Sequence, residues 1–403
     1  MRVLFAPHTS PSHYLPVAPL VQACRAAGHD VRVAVQPPLI EVVQKSGHVP
    51  VPMGAGYDHE EDLAAQLRRD VETYGRPLTA ELIAALPPDE RKGVYNRMRD
   101  CQTRIAEAMI DELLLFIHTW GADLIVADPL TLAAPLAAEI TGIPLVHYMW
   151  GPDYVRHQLG FPGVGMPVDQ WPDALTRLFR RFGAEQRTEY ATCTVDPWPE
   201  PLQLPGMPHR VPFRYVPYNG PGTVPDWLWK EPGDRRRICV TWGTVASRRV
   251  GPDGFLVPRI LEGLAGTDAE VVVATTEADA ELLGDVPDNV RIAFGVPLHV
   301  LLPACDAIIH QGGGGTTLTA AACGVPQAII PLAGDLRLNA TLLAKTGAGL
   351  FLDPEQARPA DIKAAAATLL DDPGPRAAAE RLRDEMRAQP TPAEIVPCLE
   401  KLV

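Results

Sequence analysis

Eight residues in the last quarter of the chain combine one histidine, one glutamine, four consecutive glycines and two threonines. The run is His310-Gln311-Gly312-Gly313-Gly314-Gly315-Thr316-Thr317. Because four glycines in a row cost backbone entropy, we expect them where main-chain N–H groups approach a ligand at a helix N-terminus. The favoured ligand there is a phosphate, and the imidazole of His310 could donate a further hydrogen bond to a phosphoryl oxygen.

The elements on either side of this loop are predicted from their apolar residues. Ala307-Ile308-Ile309 is typical of a strand, and residues 318–323 are typical of a helix. The loop lacks the Lys-Ser/Thr ending of a P-loop and the glycine spacing of a Rossmann fingerprint. A glycine-rich turn beside a buried histidine therefore stays open as the alternative.

Length, charge and hydropathy limit the classes of partner. A chain of 403 residues exceeds the usual size of one hydrophobic core, so we expect two domains. The net charge of −13 argues against nucleic acid, although a nucleotide could still bind through one local loop. The apolar runs are too short to span a bilayer and the N-terminus has no signal-peptide pattern, so we expect a cytoplasmic protein with no membrane partner. The seven cysteines have no metal-binding spacing, and no metal site is expected.

Strand and helix patterns alternate in both halves of the chain. The predicted strands cover residues 3–6, 31–35, 124–127, 145–148, 237–241, 271–274, 290–292, 307–309 and 327–330. Both halves are therefore predicted to be α/β units with parallel sheets. The polar, Arg-rich residues 57–104 are either a helical insertion over a site or a simple surface excursion.

Five segments, in this order, resemble the GT-B glycosyltransferases, and more narrowly the bacterial enzymes that glycosylate antibiotics and other natural products. The segments are Ser12–Pro16, Val126–Pro129, Arg214–Gly220, Val240–Thr244 and Val296–His310. The resemblance covers essentially the whole chain. It implies an α/β GT-B fold, in which two Rossmann-like, doubly wound parallel-sheet domains face each other across a cleft.

The resemblance also implies which part of the chain binds which substrate. It implies an acceptor-binding domain over residues 1–217, a linker over 218–232, a nucleotide-sugar-binding domain over 233–385 and a helix over 386–403 that packs back on the first domain. The proline- and glycine-rich composition of residues 216–225 independently favours a linker there.

For catalysis, the resemblance implies that His13 is the general base and Asp128 its orienting acid. A neutral imidazole suits removal of the acceptor proton near pH 7, and a carboxylate would stabilise the imidazolium that forms. In the family this pair gives direct displacement with inversion and no covalent intermediate. Taken alone, His13 could be a capping or surface residue, and Asp128 before Pro129 could be an ordinary helix N-cap.

For the donor, the resemblance implies that one set of residues binds the nucleotide and its phosphates. The set is Gly243, Thr244, Val296, Leu298, His310, Gly313, Gly314, Gly315 and Thr316. Val296 and Leu298 would lie along the base, while the others approach the pyrophosphate. The base is usually thymine in this branch, but nothing in these residues separates thymine from uracil. Gly243-Thr244 could also be a plain strand-to-helix turn.

Three more residues are candidates for binding the donor sugar or the acceptor. The family commonly has Asp-Gln where this chain has Asp335-Leu336, and leucine cannot hydrogen-bond a hydroxyl. We therefore hypothesise a deoxysugar that lacks a hydroxyl where Leu336 points, unless this side chain points away from the sugar. Trp150 follows a predicted strand and would contact the acceptor, although it could equally be a core residue.

Together these inferences predict a metal-independent, inverting glycosyltransferase that uses a TDP-sugar as co-substrate and no cofactor. Its acceptor is expected to be a hydroxyl of a hydrophobic natural product, and its protein partner a second copy of the chain or an auxiliary activator. Two other functions remain open, a sugar-nucleotide epimerase and a non-catalytic helper of another glycosyltransferase. Incubation with TDP-sugar alone, and then with aglycones, distinguishes the three.

Overall fold

The computed structural model of the chain describes residues 1–75, 78, 80–230, 235–243, 254–332 and 334–403. Their contacts divide the chain into two units. Unit 1 contains Met1–Trp198, Leu204–Arg214 and Pro390–Val403, and unit 2 contains Pro199–Gln203 and Tyr215–Gln389. Within the described ranges, no helix is long and apolar enough to cross a bilayer.

Unit 1 is built on a seven-stranded sheet whose strands are all parallel. Its strands are β1 (Arg2–Ala6), β2 (Asp30–Val35), β3 (Pro50–Pro52), β4 (Leu124–Ala127), β5 (Leu145–Tyr148), β6 (Cys193–Asp196) and β7 (Arg210–Pro212), in the spatial order β3-β2-β1-β4-β5-β6-β7. Strand β1 therefore lies between β2 and β4, and Ala6 is the register partner of Ala127. The carboxyl ends of β1 and β4 are side by side.

The helices of unit 1 lie mostly in the connections between strands. They are α1 (Pro11–Tyr14), α2 (Ala18–Ala26), α3 (Ile40–Lys45), α4 (His59–Tyr74), α5 (Ala80–Ala85), α6 (Pro88–Trp120), α7 (Ala133–Thr141) and α8 (Asp173–Arg181). Residues 57–104 are thus largely helical. The 33-residue helix α6 runs on beyond that segment, and the buried side chains of Ile105, Met109 and Leu113 belong to the same apolar cluster as Leu4 of β1.

Unit 2 is built on a six-stranded sheet that is also entirely parallel. Its strands are β8 (Arg237–Thr241), β9 (Glu270–Thr275), β10 (Val290–Phe294), β11 (Ala307–His310), β12 (Gln327–Ile329) and β13 (Gly349–Phe351), in the order β10-β9-β8-β11-β12-β13. The predicted α/β class with parallel sheets is confirmed in both units.

The remaining helices complete unit 2 and end the chain. They are α9 (Asp226–Lys230), α10 (Val257–Leu264), α11 (Glu277–Ala280), α12 (Leu298–Leu301), α13 (Gly314–Cys323), α14 (Asp335–Thr346), α15 (Pro359–Asp371), α16 (Pro373–Ala388) and α17 (Pro392–Glu400). Helix α17 belongs to unit 1 and packs against α2.

Successive residues of β8 contribute to different apolar clusters. Val240 clusters with Ile260 of α10, whereas Cys239 clusters with Leu301 of α12 and Ala320 of α13. Because successive side chains of a strand point to opposite faces, both faces of this sheet are covered by helices. This is the doubly wound arrangement, which explains why the strands are continuous apolar runs rather than alternating ones.

Candidate active site

His13 and Asp128 are hydrogen-bonded although 115 positions separate them in the sequence. His13 lies on the short helix α1, after the loop that follows β1, and Asp128 is the residue after β4. The Nδ1 atom of His13 is 2.7 Å from Oδ2 of Asp128. The parallel pairing of β1 with β4 brings these two loops together, because both leave the sheet at the same edge.

The carboxylate of Asp128 is held by more than His13. Its side chain is fully buried, its Oδ1 accepts a hydrogen bond from the N–H of Leu130 at 2.8 Å, and its own N–H donates to the carbonyl of Ala6 at 3.1 Å. The helix that follows is capped at Leu132, so Asp128 is not its N-cap. A carboxylate fixed in this way favours a proton on Nδ1 of His13, and the lone pair of Nε2 is then available to accept a proton.

Two aromatic rings contact the imidazole of His13. The ring centroid of Trp150, just beyond β5, is 4.3 Å away with a tilt of 39°, and that of His8 is 4.8 Å away with a tilt of 46°. The hydroxyl of Tyr148 donates to the backbone carbonyl of His13 at 2.9 Å. Trp150 is half-buried and also packs on the apolar cluster of unit 1. It therefore contacts both the core and His13.

Helices α4 and α6 contribute residues that sequence analysis missed. The Nε2 atom of His8 is 3.0 Å from Oε1 of Gln102, and the ring of His59 is 5.2 Å from that of His8. His59 in turn lies 3.1 Å from the sulfur of Cys101 through Nδ1. These contacts join residues 42 to 94 positions apart, so the only signal in the sequence was the place of His8 just after β1.

In unit 2, the glycine loop connects β11 directly to helix α13. The strand ends at His310 and the helix begins at Gly314, four residues before the predicted start, with Gly313 as its N-cap. The N–H groups of Gly314, Gly315 and Thr316 are in the first turn and have no acceptor within the helix. They present the positive end of the helix dipole, which is the feature expected of an anion site.

Gly312 is required by the shape of this loop. Its φ is +94°, and a Cβ atom there would lie 2.8 Å from Cγ2 of Ile329 and 2.9 Å from the carbonyl oxygen of Leu336. The side-chain amide of Asn339 donates to the carbonyl of Gly312 at 2.8 Å. Helix α14 therefore holds the loop from the other side, a role for Asn339 that the sequence did not reveal.

His310 is fully buried, and both of its ring nitrogens bond to protein groups. Its Nδ1 accepts from the N–H of Gly312 at 3.0 Å, and its Nε2 lies 2.9 Å from Oε1 of Gln327. Burial lowers the pKa of His310 to about 4, so the ring is neutral at pH 7. In this arrangement His310 holds the loop. The predicted hydrogen bond to a phosphate stays a prediction, and it requires Nε2 to give up Gln327.

The turn after β8 lies beside the glycine loop. Gly243 has a φ of +71°, and a Cβ atom on it would be 2.5 Å from Nε2 of Gln311. Thr244 lies outside the described residues. Gln311 is nine-tenths buried, and its Oε1 has no hydrogen-bond partner within the described ranges. Its amide therefore lies between the two predicted phosphate-binding turns, although sequence analysis gave it no role.

The segment predicted to lie along the base is anchored by residues of the predicted linker, 218–232. Asn219 accepts a hydrogen bond from the N–H of His299 at 3.0 Å through Oδ1, and its Nδ2 donates to Oγ1 of Thr319 at 3.0 Å. A Cβ atom on Gly222 would be 2.4 Å from the carbonyl oxygen of Gly295. Val296 and Leu298, which flank the N-cap of α12, are thus tied to helix α13, the helix whose N-terminus follows the glycine loop.

Asp335 and Leu336 begin helix α14 and are both half-buried. The carbonyl of Leu336 faces Gly312, as described above, so the predicted sugar-binding residues adjoin the predicted phosphate-binding loop. Within unit 2, the structure therefore brings Gly243, the glycine loop and the start of α14 together around one helix N-terminus.

Two family models match nearly the whole chain. The erythromycin biosynthesis protein CIII-like N-terminal domain matches residues 22–243, and the C-terminal domain of the same family matches residues 258–402. The chain belongs to the erythromycin biosynthesis protein CIII-like family. This CIII-like chain is accordingly a glycosyltransferase of the kind found in antibiotic biosynthesis.

Relatives and solved structures agree with this assignment. The CIII-like chain is 34% identical to the 3-alpha-mycarosylerythronolide B desosaminyl transferase of Saccharopolyspora erythraea, over 100% of the chain and 98% of the relative. It is 37% identical to the 10-deoxymethynolide desosaminyltransferase of Streptomyces venezuelae, over 100% and 97%. The spinosyn rhamnosyltransferase, solved in complexes with thymidine diphosphate and with the spinosyn aglycone, superposes with a TM-score of 0.81 at 28% identity, covering 99% of this chain and 100% of that one. The fold of the CIII-like chain is GT-B.

Proposed function

We propose that this glycosyltransferase transfers a deoxysugar from TDP to a hydroxyl of a hydrophobic natural-product aglycone, with inversion at the anomeric carbon. The names of the relatives support the sugar class and the acceptor class, since two of them are desosaminyltransferases that are named after 3-alpha-mycarosylerythronolide B and 10-deoxymethynolide. The thymidine diphosphate complex of the spinosyn enzyme supports the nucleotide.

The observation that carries the proposed mechanism is the 2.7 Å hydrogen bond between His13 and Asp128. The acceptor hydroxyl loses its proton to Nε2 of His13 as its oxygen forms a bond to the anomeric carbon. The bond from that carbon to the phosphate oxygen breaks with its electron pair, and TDP leaves. Asp128 stabilises the imidazolium that results, because it accepts the hydrogen bond from Nδ1 throughout.

The donor half of the proposal uses backbone groups rather than a metal ion. The leaving diphosphate would receive hydrogen bonds from the first-turn amides of α13, including those of Gly314 and Thr316, and would be stabilised by the helix dipole. Gln311 is added here to the predicted set, because its buried amide lies between the turns at Gly243 and Gly313. A hydroxyl facing Leu336 would lose its hydrogen bonds to water, which is why we propose a deoxysugar.

The proposal is tested by product formation. Purified protein is incubated with TDP-deoxysugars and a panel of macrolide and anthracycline aglycones, and products are identified by mass spectrometry. We expect a glycoside whose anomeric configuration, read by NMR, is opposite to that of the donor, and whose yield is unchanged by EDTA. An epimerised donor without acceptor, or retention of configuration, would contradict the proposal.

The matched variant for this assay is His13→Gln, which keeps a polar side chain of similar size but has no basic nitrogen. It should bind TDP as the parent protein does and form little glycoside.

The proposal also includes a protein partner, either a second copy of the chain or an auxiliary activator. Light scattering measures whether the protein forms a homodimer. An activator is detected if a cell extract of the source organism raises glycoside formation in the assay.

A further inference from the structure

The shortest ring contact described for His13 is with Trp150, and the two rings are tilted with respect to each other. The two centroids are 4.3 Å apart and the planes are tilted by 39°. Aromatic pairs usually have centroids about 4.5–7 Å apart, so this separation is at the close end and too short for rings that lie edge to edge in one plane. The faces of the imidazole and the indole are therefore turned partly towards each other.

Trp150 is positioned by packing rather than by a polar contact. It packs on the apolar cluster of unit 1, and its Nε1 atom is buried with no hydrogen-bond acceptor within the described ranges. Only the rotamer and the surrounding apolar side chains determine where the indole lies. The position it takes is against the residue that carries the chemistry of the proposed function.

The other groups that face His13 come from three elements. Asp128 after β4 accepts the hydrogen bond from Nδ1, His8 after β1 offers a second ring, and Tyr148 of β5 binds the backbone carbonyl. His59 of α4 and Gln102 of α6 contact His8 and do not reach His13 by any described bond. Asp128 and Trp150 favour a positive charge on the imidazole, whereas a protonated His8 would oppose it.

We propose that Trp150 is a positioning residue for His13, whose π-face stabilises the imidazolium formed during transfer and keeps the ring plane fixed while Nε2 faces the acceptor. This inference rests on the proposed function and assigns Trp150 to the base, whereas sequence analysis expected it to contact the aglycone. A cation over an indole face within about 6 Å is attracted by the ring quadrupole. Asp128 thus fixes one edge of the imidazole and Trp150 fixes its face.

The experiment replaces tryptophan by analogues with one, two or three fluorines, which weaken the quadrupole and keep the shape of the ring. The steady-state kinetics of glycoside formation are measured for each protein. We expect kcat to fall stepwise along the series, several-fold in total, while the acceptor KM stays within twofold of the parent value.

The control is the same fluorination series in Trp150→Phe protein. There the remaining tryptophans are fluorinated but none lies on His13, so kcat should not change along the series. Trp150→Leu should lower kcat several-fold and leave the acceptor KM within twofold of the parent value. Trp150→Phe should restore part of kcat. Trp120→Leu should leave kcat at the parent value. Trp120 is a fair comparison because it also packs, half-buried, on the apolar cluster of unit 1.

Two results would overturn the inference. One is a kcat that does not fall along the fluorination series of the parent protein. The other is a Trp150→Leu variant whose acceptor KM rises strongly while kcat is kept, since the indole would then belong to the acceptor site. Failure of the proposed function is recognised separately, because it appears as the absence of glycoside from the unsubstituted protein.

Discussion

The two units have the same sheet topology around their centre but use different chemistry there. In each unit the first strand lies beside the fourth, β1 beside β4 and β8 beside β11, and the strand order reverses between them. Ligands of open parallel sheets bind at the carboxyl ends of strands at such a reversal. Unit 1 has a hydrogen-bonded pair of ionisable side chains at this place, His13 and Asp128, whereas unit 2 has glycines and the N–H groups of a helix N-terminus.

The difference shows that the fold supplies the place and the residues supply the chemistry. In the proposed mechanism, side chains are needed in unit 1 because a proton must move, and a backbone amide cannot accept one. In the same mechanism, backbone groups suffice in unit 2 because a diphosphate needs only hydrogen-bond donors and positive potential. Substitutions in unit 1 should therefore act on kcat, and substitutions in unit 2 on binding of the donor.

The largest effect is expected from the ionisable pair. His13→Gln should lower kcat by about 10²- to 10⁴-fold, because the acceptor proton then has no base to accept it. The dissociation constant for TDP, measured by calorimetry, should stay within about threefold of the parent value. If kcat fell less than tenfold, His13 would not be the base, and the contrast between the two units would fail.

The second effect tests the backbone cradle. Gly312→Ala places a Cβ atom 2.9 Å from the carbonyl oxygen of Leu336 at a residue whose φ is +94°, so the loop must move. We expect TDP affinity to fall at least about tenfold, since about 1.4 kcal/mol of lost binding suffices for that. The matched control is Gly266→Ala in the same unit, with a φ of +68° and open space around the new methyl group.

Gly266→Ala should lower the free energy of unfolding by about 1 kcal/mol, measured with urea, and leave TDP affinity unchanged. Equal losses of TDP affinity in both glycine variants would show that the loop shape around Gly312 has no special role in binding.

The sequence predicted the central strands better than the edges. The strands Leu124–Ala127, Leu145–Tyr148 and Arg237–Thr241 have the predicted bounds, because strands buried on both faces are unbroken apolar runs. Four strands were missed, namely β3, β6, β7 and β13. Three of them are three-residue edge strands, and β3 and β7 end in proline, a residue that is tolerated at the edge of a sheet. The fourth, β6, is an interior strand whose polar Thr194 and Asp196 interrupt the apolar run.

The candidate site was predictable where it depends on strand ends and not where it depends on packing of distant helices. His13 and Asp128 each follow a strand, and neighbouring parallel strands bring such residues together. Asn339 and Gln327 shape the glycine loop through hydrogen bonds to Gly312 and His310, across 27 and 17 positions. Nothing in their own neighbourhoods marks them, because their role exists only once α14 and β12 pack on the loop.

A third effect concerns the sugar. Leu336→Gln restores the residue that the family commonly has after Asp335, so a hydroxylated donor regains a hydrogen-bond partner. We expect the ratio of kcat/KM for TDP-glucose to that for a TDP-2-deoxysugar to rise about 5- to 150-fold, as about 1–3 kcal/mol implies. Leu338→Gln on the same helix is the control and should leave this ratio within twofold. An unchanged ratio in Leu336→Gln would mean that residue 336 does not face the sugar.

The smallest effect is on stability below neutral pH, and we expect it in both units. Burial lowers the pKa of His147 in unit 1 and of His310 in unit 2 to about 4, below the ordinary value of 6.5. Between these values the unfolded chain binds protons that the folded protein does not, so stability is complete above about pH 6.5 and is lost as the pH falls towards 4. Each histidine should lower the free energy of unfolding by on the order of 0.5–1 kcal/mol as the pH falls from 7 to 6.

The variant that tests this effect is His310→Asn, with the free energy of unfolding measured with urea at several pH values. The fall of this free energy between pH 7 and 6 should be smaller than in the parent protein by the contribution of one histidine. If the slope were unchanged, His310 would take up protons in the folded protein as readily as in the unfolded chain, and the glycine loop would gain a side-chain charge in this pH range.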